Sequence, residues 1–522
     1  MNRFLNWLLP MLLLATGFPA PAQADRVLPV PDEIYAGHQM VEDWHLGEAE
    51  AYVLKLLKQY PESGDVHFLR AKVEFFKGNY EYASKILKHV ASNQGEVRDF
   101  KELVENTRSA TSKFIAQESA HFIFRVVDGP DRVLLPFAEE VLEKSYAILG
   151  DLLRMHPQDK IIVEFYPGQE PFSKVSPLTL KDITTSGTVA LCKYNRILAI
   201  SPRFLVRGYN WMDTLSHEFV HYLLTIKSRN HFPLWLHEGV AKYLETRWRN
   251  EKNYLSPLME TVLAGGLERD YLIPLENMMP SLAKLKTAED VQLAYAQVST
   301  MMEYLAELKG EELISDLLDD LAGGSSFEEA LASRIGMDLG AFQARWKEQI
   351  KKKNLKAIPG HTALLFRFKS DLSAEEEDKD YGEIQMKRTR DLVFLADILN
   401  SRNRPQAAVV EYKKAIQETQ TLNPILYNKL ALTYINLKQY PEAETLLKES
   451  LGYYPMFHTT LLNLGELYLA TSRLEQARTY FEQAVKINPF NPFAHARLID
   501  TFQRLGLKKE KELQAGLYRY IQ

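Results

Sequence analysis

The chain has 522 residues, 46% of them hydrophobic and 25% charged, with a formal net charge of -5. That length allows about three domains with cores of ordinary size. No run of five or more Lys/Arg occurs, so neither nucleic acid nor an anionic membrane surface is implied as a partner.

Residues 1–24 read as a secretory signal. Arg3 supplies the positive start, Phe4 to Ala15 is mostly apolar, and Ala22-Gln23-Ala24 gives a small-x-small cleavage pattern before Asp25. The expectation is export, to a periplasm or beyond it. The apolar run is short for a spanning helix, which needs about 20 residues, and no membrane span is expected in the mature chain. Cys192 is the only cysteine, so no internal disulfide and no lipid-modified cysteine after the apolar run are expected. Its apolar neighbours Ala190 and Leu191 mark it as an inert core thiol rather than a nucleophile.

Residues 25–115 read as a helical region. Gly47-Glu48-Ala49 and Tyr80-Glu81-Tyr82-Ala83 each precede an apolar helical stretch, and Ala49 and Ala83 are 34 residues apart. That is a helix-pair repeat period, with Tyr60-Pro61 as the expected stop between units. Residues 116–355 have a different composition. His121 to Val127, Lys160 to Tyr166 and Arg196 to Ile200 read as strands, and Asp131 to Leu153 reads as a long helix between the first two. Residues 356–389 contain Glu375-Glu376-Glu377-Asp378-Lys379-Asp380, simplest as a solvated linker. In residues 390–522 the 34-residue spacing returns, in Leu430, Leu464 and Leu498 and in Ala443 and Ala477, with Tyr454-Pro455 and Asn488-Pro489 closing units. This stretch resembles the tetratricopeptide repeat (TPR) family, whose units bury their apolar faces only by stacking on one another. The repeats at the two ends are compatible with one scaffold folding over the middle or with two separate ones. Their concave surface would recruit a substrate or a protein partner, or serve as a spacer.

The chemistry sits in the middle. Trp211 to Leu224 reads as one helix that Asn210 can cap, with Asp213 as the returning acid. It carries His217-Glu218-x-x-His221. Histidines four apart lie one turn apart on one face, where two imidazoles can reach one metal ion, and the intervening Glu can hold a water on it. A catalytic zinc site needs a third protein ligand and an open position. After Pro233 a second helix begins with Leu234-Trp235-Leu236-His237-Glu238-Gly239-Val240-Ala241, placing Glu238 17 positions beyond His221. Gly239 leaves room for a close helix crossing. His237 is a competing ligand by chemistry.

The pair His217-Glu218-x-x-His221 and Trp235-Leu236-x-Glu238-Gly239-x-Ala241 resembles the gluzincin metallopeptidases, in particular the peptidase MA-like domain found beside TPR repeats. The resemblance implies a multi-domain α+β chain: a gluzincin zinc-peptidase domain of mixed sheet plus helices, flanked by all-α TPR-type repeats. It implies Zn2+ on His217, His221 and Glu238, Glu218 as general base, and His237 as a flanking residue. Glu245, seven beyond Glu238, matches an acid that supports a zinc histidine in the aminopeptidase N family, or is a solvated helix glutamate. Tyr295, with Tyr304 nine residues later, resembles the segment that opens with that family's oxyanion tyrosine, although Val298 stands where members carry Gly; the alternative is a core tyrosine. Gly187 to Leu191 is the candidate sheet edge along which an extended substrate would pair. The Gly-Ala-Met-Glu-Asn run of aminopeptidase N is absent, which points to internal cleavage. The implied activity is peptide-bond hydrolysis by a zinc-activated water, with a peptide or protein as substrate. The alternative is a TPR scaffold of the cell envelope with an inactive peptidase-like domain.

Overall fold

The computed structural model describes residues 31–91, 94–279, 281–363, 366–369, 383–384 and 386–522. The expected signal segment and the acidic run Glu375 to Asp380 lie outside the described residues. Among those described, no helix is long and apolar enough to cross a membrane.

The chain opens with helices α1 (Pro31–Glu42), α2 (Leu46–Gln59), α3 (Gly64–Phe76), α4 (Tyr80–Leu87) and α5 (Gly95–Thr111). The small residues that set the sequence period are the ones that let helices close on each other: Ala49 is 1% exposed and Ala83 is buried completely. Helix α2 stops just before Tyr60-Pro61, where proline cannot continue a helical hydrogen-bond ladder.

A five-stranded sheet follows, in the order β1-β2-β3-β5-β4. Strand β1 (Phe114–Glu118) is antiparallel to β2 (Phe122–Val127), β2 is parallel to β3 (Ile161–Tyr166), and β3 is parallel to β5 (Arg196–Ile200). The short strand β4 (Ala190–Lys193) closes one edge antiparallel to β5, with Leu191 opposite Leu198. The three strands expected from the apolar runs are all present. The central strands β3 and β5 are buried along their whole length, which is why they read as continuous apolar runs instead of alternating ones. Between β2 and β3 a 3-10 turn, Pro130–Leu134, leads into α6 (Leu135–Leu153).

Two buried charges interrupt those apolar strands, and they tie the N-terminal helices to the sheet. Glu164, at the middle of β3, accepts hydrogen bonds from Tyr80 Oη of α4 at 2.5 Å and from Tyr166 Oη at 2.6 Å. Arg125 Nη1 donates to it at 3.1 Å. The Arg196 side chain lies 3.3 Å from Glu164 and packs against the Phe75 and Tyr80 rings at 4.6 and 4.8 Å. A carboxylate buried in a sheet is tolerable only when its lone pairs are filled in this way.

Helices cover the rest of the sheet domain: α7 (Gln169–Val175), α8 (Leu180–Ser186), α9 (Trp211–Lys227), α10 (Leu234–Leu244), α11 (Pro257–Glu268), α12 (Ala288–Lys309), α13 (Glu312–Ala322), α14 (Phe327–Ile335) and α15 (Leu339–Lys352). The expected capping box at the start of α9 does not form. Asn210 makes no side-chain cap; its amide donates to Asp213 at 2.7 Å. Asp213 is instead occupied by Trp248 Nε1 at 2.8 Å and Arg249 Nη2 at 2.8 Å. A buried acid that can meet a guanidinium from a later segment does not turn back to a backbone N–H.

The C-terminal helices are α16 (Lys387–Ser401), α17 (Pro405–Glu418), α18 (Pro424–Asn436), α19 (Tyr440–Tyr453), α20 (His458–Ala470), α21 (Leu474–Ile487), α22 (Pro492–Leu505) and α23 (Lys508–Tyr518). Leu430, Leu464 and Leu498 are 2%, 0% and 2% exposed, and Ala443 and Ala477 are fully buried. They belong to a core of their own, whereas the N-terminal helices share one core with the sheet domain. The repeats at the two ends are therefore two separate scaffolds. The C-terminal one docks where α9 begins. Trp211 Nε1 donates to the Lys486 carbonyl at 2.7 Å, and Gly208, at φ +68, leaves no room for a Cβ against the Ile487 carbonyl.

The flanks of the acidic run are packed against both neighbours. Val206 N–H donates to the Arg367 carbonyl at 3.0 Å and Leu422 N–H to the Gly360 carbonyl at 2.7 Å. Phe368 is 2% exposed.

Candidate metal centre

Helix α9 supplies His217, Glu218 and His221. Its apolar residues Phe219, Val220, Leu223 and Leu224 are completely buried, which fixes the helix rotationally and turns the two histidines towards α10. The imidazole centroids are 4.8 Å apart at an interplanar angle of 82°. Helix α10 returns across α9 and α12. A Cβ on Gly239 would stand 2.9 Å from the Val298 carbonyl of α12, so only glycine allows this crossing. The crossing places Glu238 beside the histidines, its Oε2 3.4 Å from His217 Nε2 and 3.5 Å from His221 Nε2.

These three residues are a donor set within reach of one cation. Their ligand atoms all lie within 4.8 Å of one another. A tetrahedral zinc ion with ligand distances of 2.0 to 2.2 Å has ligand–ligand edges of about 3.4 Å, and the two Nε2–Oε2 separations match that edge. The charge also fits. Among the described residues Glu218 Oε2 and Glu238 Oε2 find no hydrogen-bond partner where they are buried, a state that is expensive unless a cation completes it.

Each histidine is oriented from behind. His217 Nδ1 lies 3.2 Å from Glu245 Oε2, and Glu245 also takes Lys242 Nζ at 2.5 Å. Glu245 is 8% exposed, so it is not a solvated helix glutamate. His221 Nδ1 lies 3.3 Å from His237 Nδ1. His237 points behind the centre and supplies no atom to the three-residue set. Partners at Nδ1 leave each Nε2 as the free nitrogen, the arrangement metal-binding histidines require. Burial alone would lower the His217 pKa, but the Glu238 and Glu245 carboxylates beside it carry it up to about 10. Burial works against Glu238 too, yet the neighbouring imidazoles hold it well below the usual carboxylate range.

Glu218 faces the edge strand. It accepts a hydrogen bond from the Cys192 backbone N–H, and burial raises its pKa. Above it opens a cleft lined by Gly187 to Ala190, Thr214, His217, Glu218, Lys242, Glu245, Tyr295 and Phe366. The cleft thus runs along the edge that begins at Gly187, the turn residue after α8. Cys192 itself is held protonated by burial.

Tyr295 of α12 reaches the same place. Its ring centroid is 6.2 Å from that of His217, its hydroxyl is hydrogen-bonded to Glu238, and burial pushes its pKa well above the ordinary value. Tyr304 points elsewhere: nine residues on a helix is two and a half turns, and its ring stacks on Phe342 at 5.6 Å. Val298 meets α10 through its carbonyl, facing Gly239.

Two histidines and a glutamate thus face one point, with a further buried carboxylate beside them. Residues 169–352 match the family model of the Peptidase MA superfamily. Residues 428–492 match Tetratricopeptide repeat, and residues 23–117 match Iml2/Tetratricopeptide repeat protein 39. The chain thus carries a Peptidase MA superfamily domain together with tetratricopeptide repeats. Uncharacterized protein YhcO of Bacillus subtilis (strain 168) is 22% identical over 270 residues, 48% of this chain and 76% of that protein. Uncharacterized protein ycf37 of Guillardia theta is 27% identical over 113 residues, 21% of this chain and 64% of that protein. The structure of yeast LTA4 hydrolase in complex with bestatin aligns with a TM-score of 0.30 at 12% identity, over 78% of this chain and 67% of that one.

Proposed function

We propose that the protein is an exported zinc-dependent peptidase that cleaves within peptide chains. The observation that carries this is the convergence of His217 Nε2, His221 Nε2 and Glu238 Oε2 on one point, with the Glu218 carboxylate beside them at the floor of a cleft bordered by a sheet edge. A zinc ion held by these residues would supply Lewis acidity to water and to the scissile carbonyl.

The remaining roles fall to the chain's own groups. An extended peptide pairs along β4, as strand addition to a free edge allows. Glu218, held by the Cys192 N–H and raised in pKa by burial, takes a proton from the attacking water and passes it to the leaving amine. Tyr295, kept neutral by burial, supplies a phenol donor to the oxygen that gains charge. Of the cleft carboxylates, Glu245 is engaged by His217 and Lys242 and Glu218 serves as base. Neither is left to anchor a free peptide amine, which favours internal over N-terminal cleavage. Arg3, the apolar stretch after it and Ala22-Gln23-Ala24 support export. The TPR repeats serve substrate or partner recruitment.

The test is the Glu218→Gln variant of the mature chain, assayed on a broad peptide library with and without chelator. The variant retains one equivalent of zinc and loses turnover by a factor of at least ~10³. Wild-type rates from Glu218→Gln, or turnover indifferent to chelator, would overturn the assignment.

A further inference from the structure

A second cavity, of ≈ 300 Å³, opens where the sheet domain, the segment before the acidic run and the C-terminal repeats meet. Leu205, Tyr209 and Leu258 form one wall, and Tyr453, Met456 and Phe457, at the turn between α19 and α20, form the other. The cavity adjoins the metal cleft. Phe366 lines both; Asn210, the residue before α9, lines the cavity and Thr214 of α9 lines the cleft. Along α9, the seven residues from Asn210 to His217 span about 10 Å.

Three features ask for an occupant. Phe366 and Met456 stand 40% and 42% exposed at the rim, apolar surface left to water beside an apolar hollow. His458 lines the cavity at 4% exposure, and among the described residues its Nε2 has no hydrogen-bond partner. A buried imidazole nitrogen in that state is costly until something polar meets it. Among the described residues no Asp or Glu lines the cavity, whereas Arg207 and Arg367 do, both directed at Glu383.

We propose that this cavity is a specificity subsite that receives an apolar or aromatic side chain of the peptide lying in the metal cleft. The inference rests on the peptidase function proposed above and names the substrate class it selects. An extended peptide advances about 3.3 Å per residue, so the recognised residue lies about three residues from the scissile bond. Its ring or aliphatic chain fills the space between Leu258 and Phe457. The wall contributed by the repeats makes them part of the substrate site rather than a distant spacer.

The experiment uses the zinc-loaded full chain and two peptide sets: dodecapeptides varied at every position, and shortened versions that end before the cavity. Wild type selects Phe, Tyr, Leu or Met at one fixed position about three residues from the cut. Two variants close the site by different means: Leu258→Trp fills it, and Met456→Glu places a carboxylate at its exposed rim without entering a core. In each, the ratio of kcat/KM for long peptides to that for short ones falls about tenfold, the discrimination a single apolar pocket supplies. Absence of a positional preference, or the same preference in both variants, assigns the cavity to another occupant and overturns the proposal. Failure to cleave even the short peptides in a chelator-sensitive way is a distinct result, and it removes the peptidase function itself.

Discussion

His237 turns its Nδ1 towards the Nδ1 of His221, 3.3 Å away. Two facing nitrogens share one proton, so one must donate and the other accept. Burial lowers the His237 pKa to about 3. It is therefore neutral and able to accept at Nδ1 from the His221 tautomer protonated at Nδ1, the one tautomer that leaves Nε2 bare for a metal ion. His237→Ala removes the acceptor and lowers zinc affinity about 10- to 100-fold, read by competition with a chromogenic chelator. His237→Asn, whose amide oxygen can accept in the same place, restores most of it. Equal affinity for wild type and the alanine variant would show that His237 only fills space.

Tyr295 is tested by removing one atom. Tyr295→Phe keeps the ring against His217 and deletes the hydroxyl that lies in the cleft. The expected outcome is a fall in kcat on the order of 10²-fold, with KM, zinc content and melting temperature nearly unchanged. An unchanged kcat would make Tyr295 a packing residue of α12. A loss of zinc would give its bond to Glu238 the larger part.

The parts of this molecule legible from sequence are those in which one period or one spacing carries the geometry. Leu430, Leu464 and Leu498 repeat because each fills the same hole in a stacked helix pair. His217 and His221 share a face because four residues make about one turn. Glu238 was reachable because the motif around it has a fixed relation to that face. What sequence did not show depends on segments that meet only after folding. Asp213 reads as a capping acid until Trp248 and Arg249 arrive from another element. His237 reads as a spare ligand because the loop before α10 hides which side of the centre it faces. The Cys192 N–H that holds Glu218 is a backbone group, and no residue type announces it. The segment on either side of the acidic run reads as solvated from its neighbours' charge, yet Phe368 is an inner residue.

Acid should loosen the docking of the repeats. Burial, with Arg207 nearby, lowers the His458 pKa to about 4, against an ordinary value of about 6.5. Between those two values the unfolded chain binds a proton that the folded one does not, so stability falls as pH drops from about 6.5 towards 4 and is constant above that window. His38 of α1, lowered to about 4 mainly by burial, adds a change of the same sign. The loss from His458 is at most about 3 kcal/mol. Urea midpoints measured from pH 7 to pH 4 on wild type and His458→Gln decide it: the variant flattens the slope. Identical slopes would place the acid sensitivity elsewhere.

The approach of α10 to α12 connects packing with the metal centre. At Gly239 an added Cβ would lie 2.9 Å from the Val298 carbonyl and 3.2 Å from Met302 Cγ. Met302 can shift, but the carbonyl belongs to a buried helix and cannot. Gly239→Ala must therefore push α10 outward at the residue next to Glu238. Overpacking of this kind costs about 1–3 kcal/mol, and the same displacement widens the separations of 3.4 and 3.5 Å between Glu238 and the two histidines. The variant should lose stability and zinc affinity together, read as a lower melting temperature without metal and a weaker chelator competition with it. By contrast Val298→Ala leaves the carbonyl in place and removes only side-chain packing, so it should lower the melting temperature while zinc affinity holds. If Gly239→Ala bound zinc as tightly as wild type, Glu238 would be positioned by something other than this crossing.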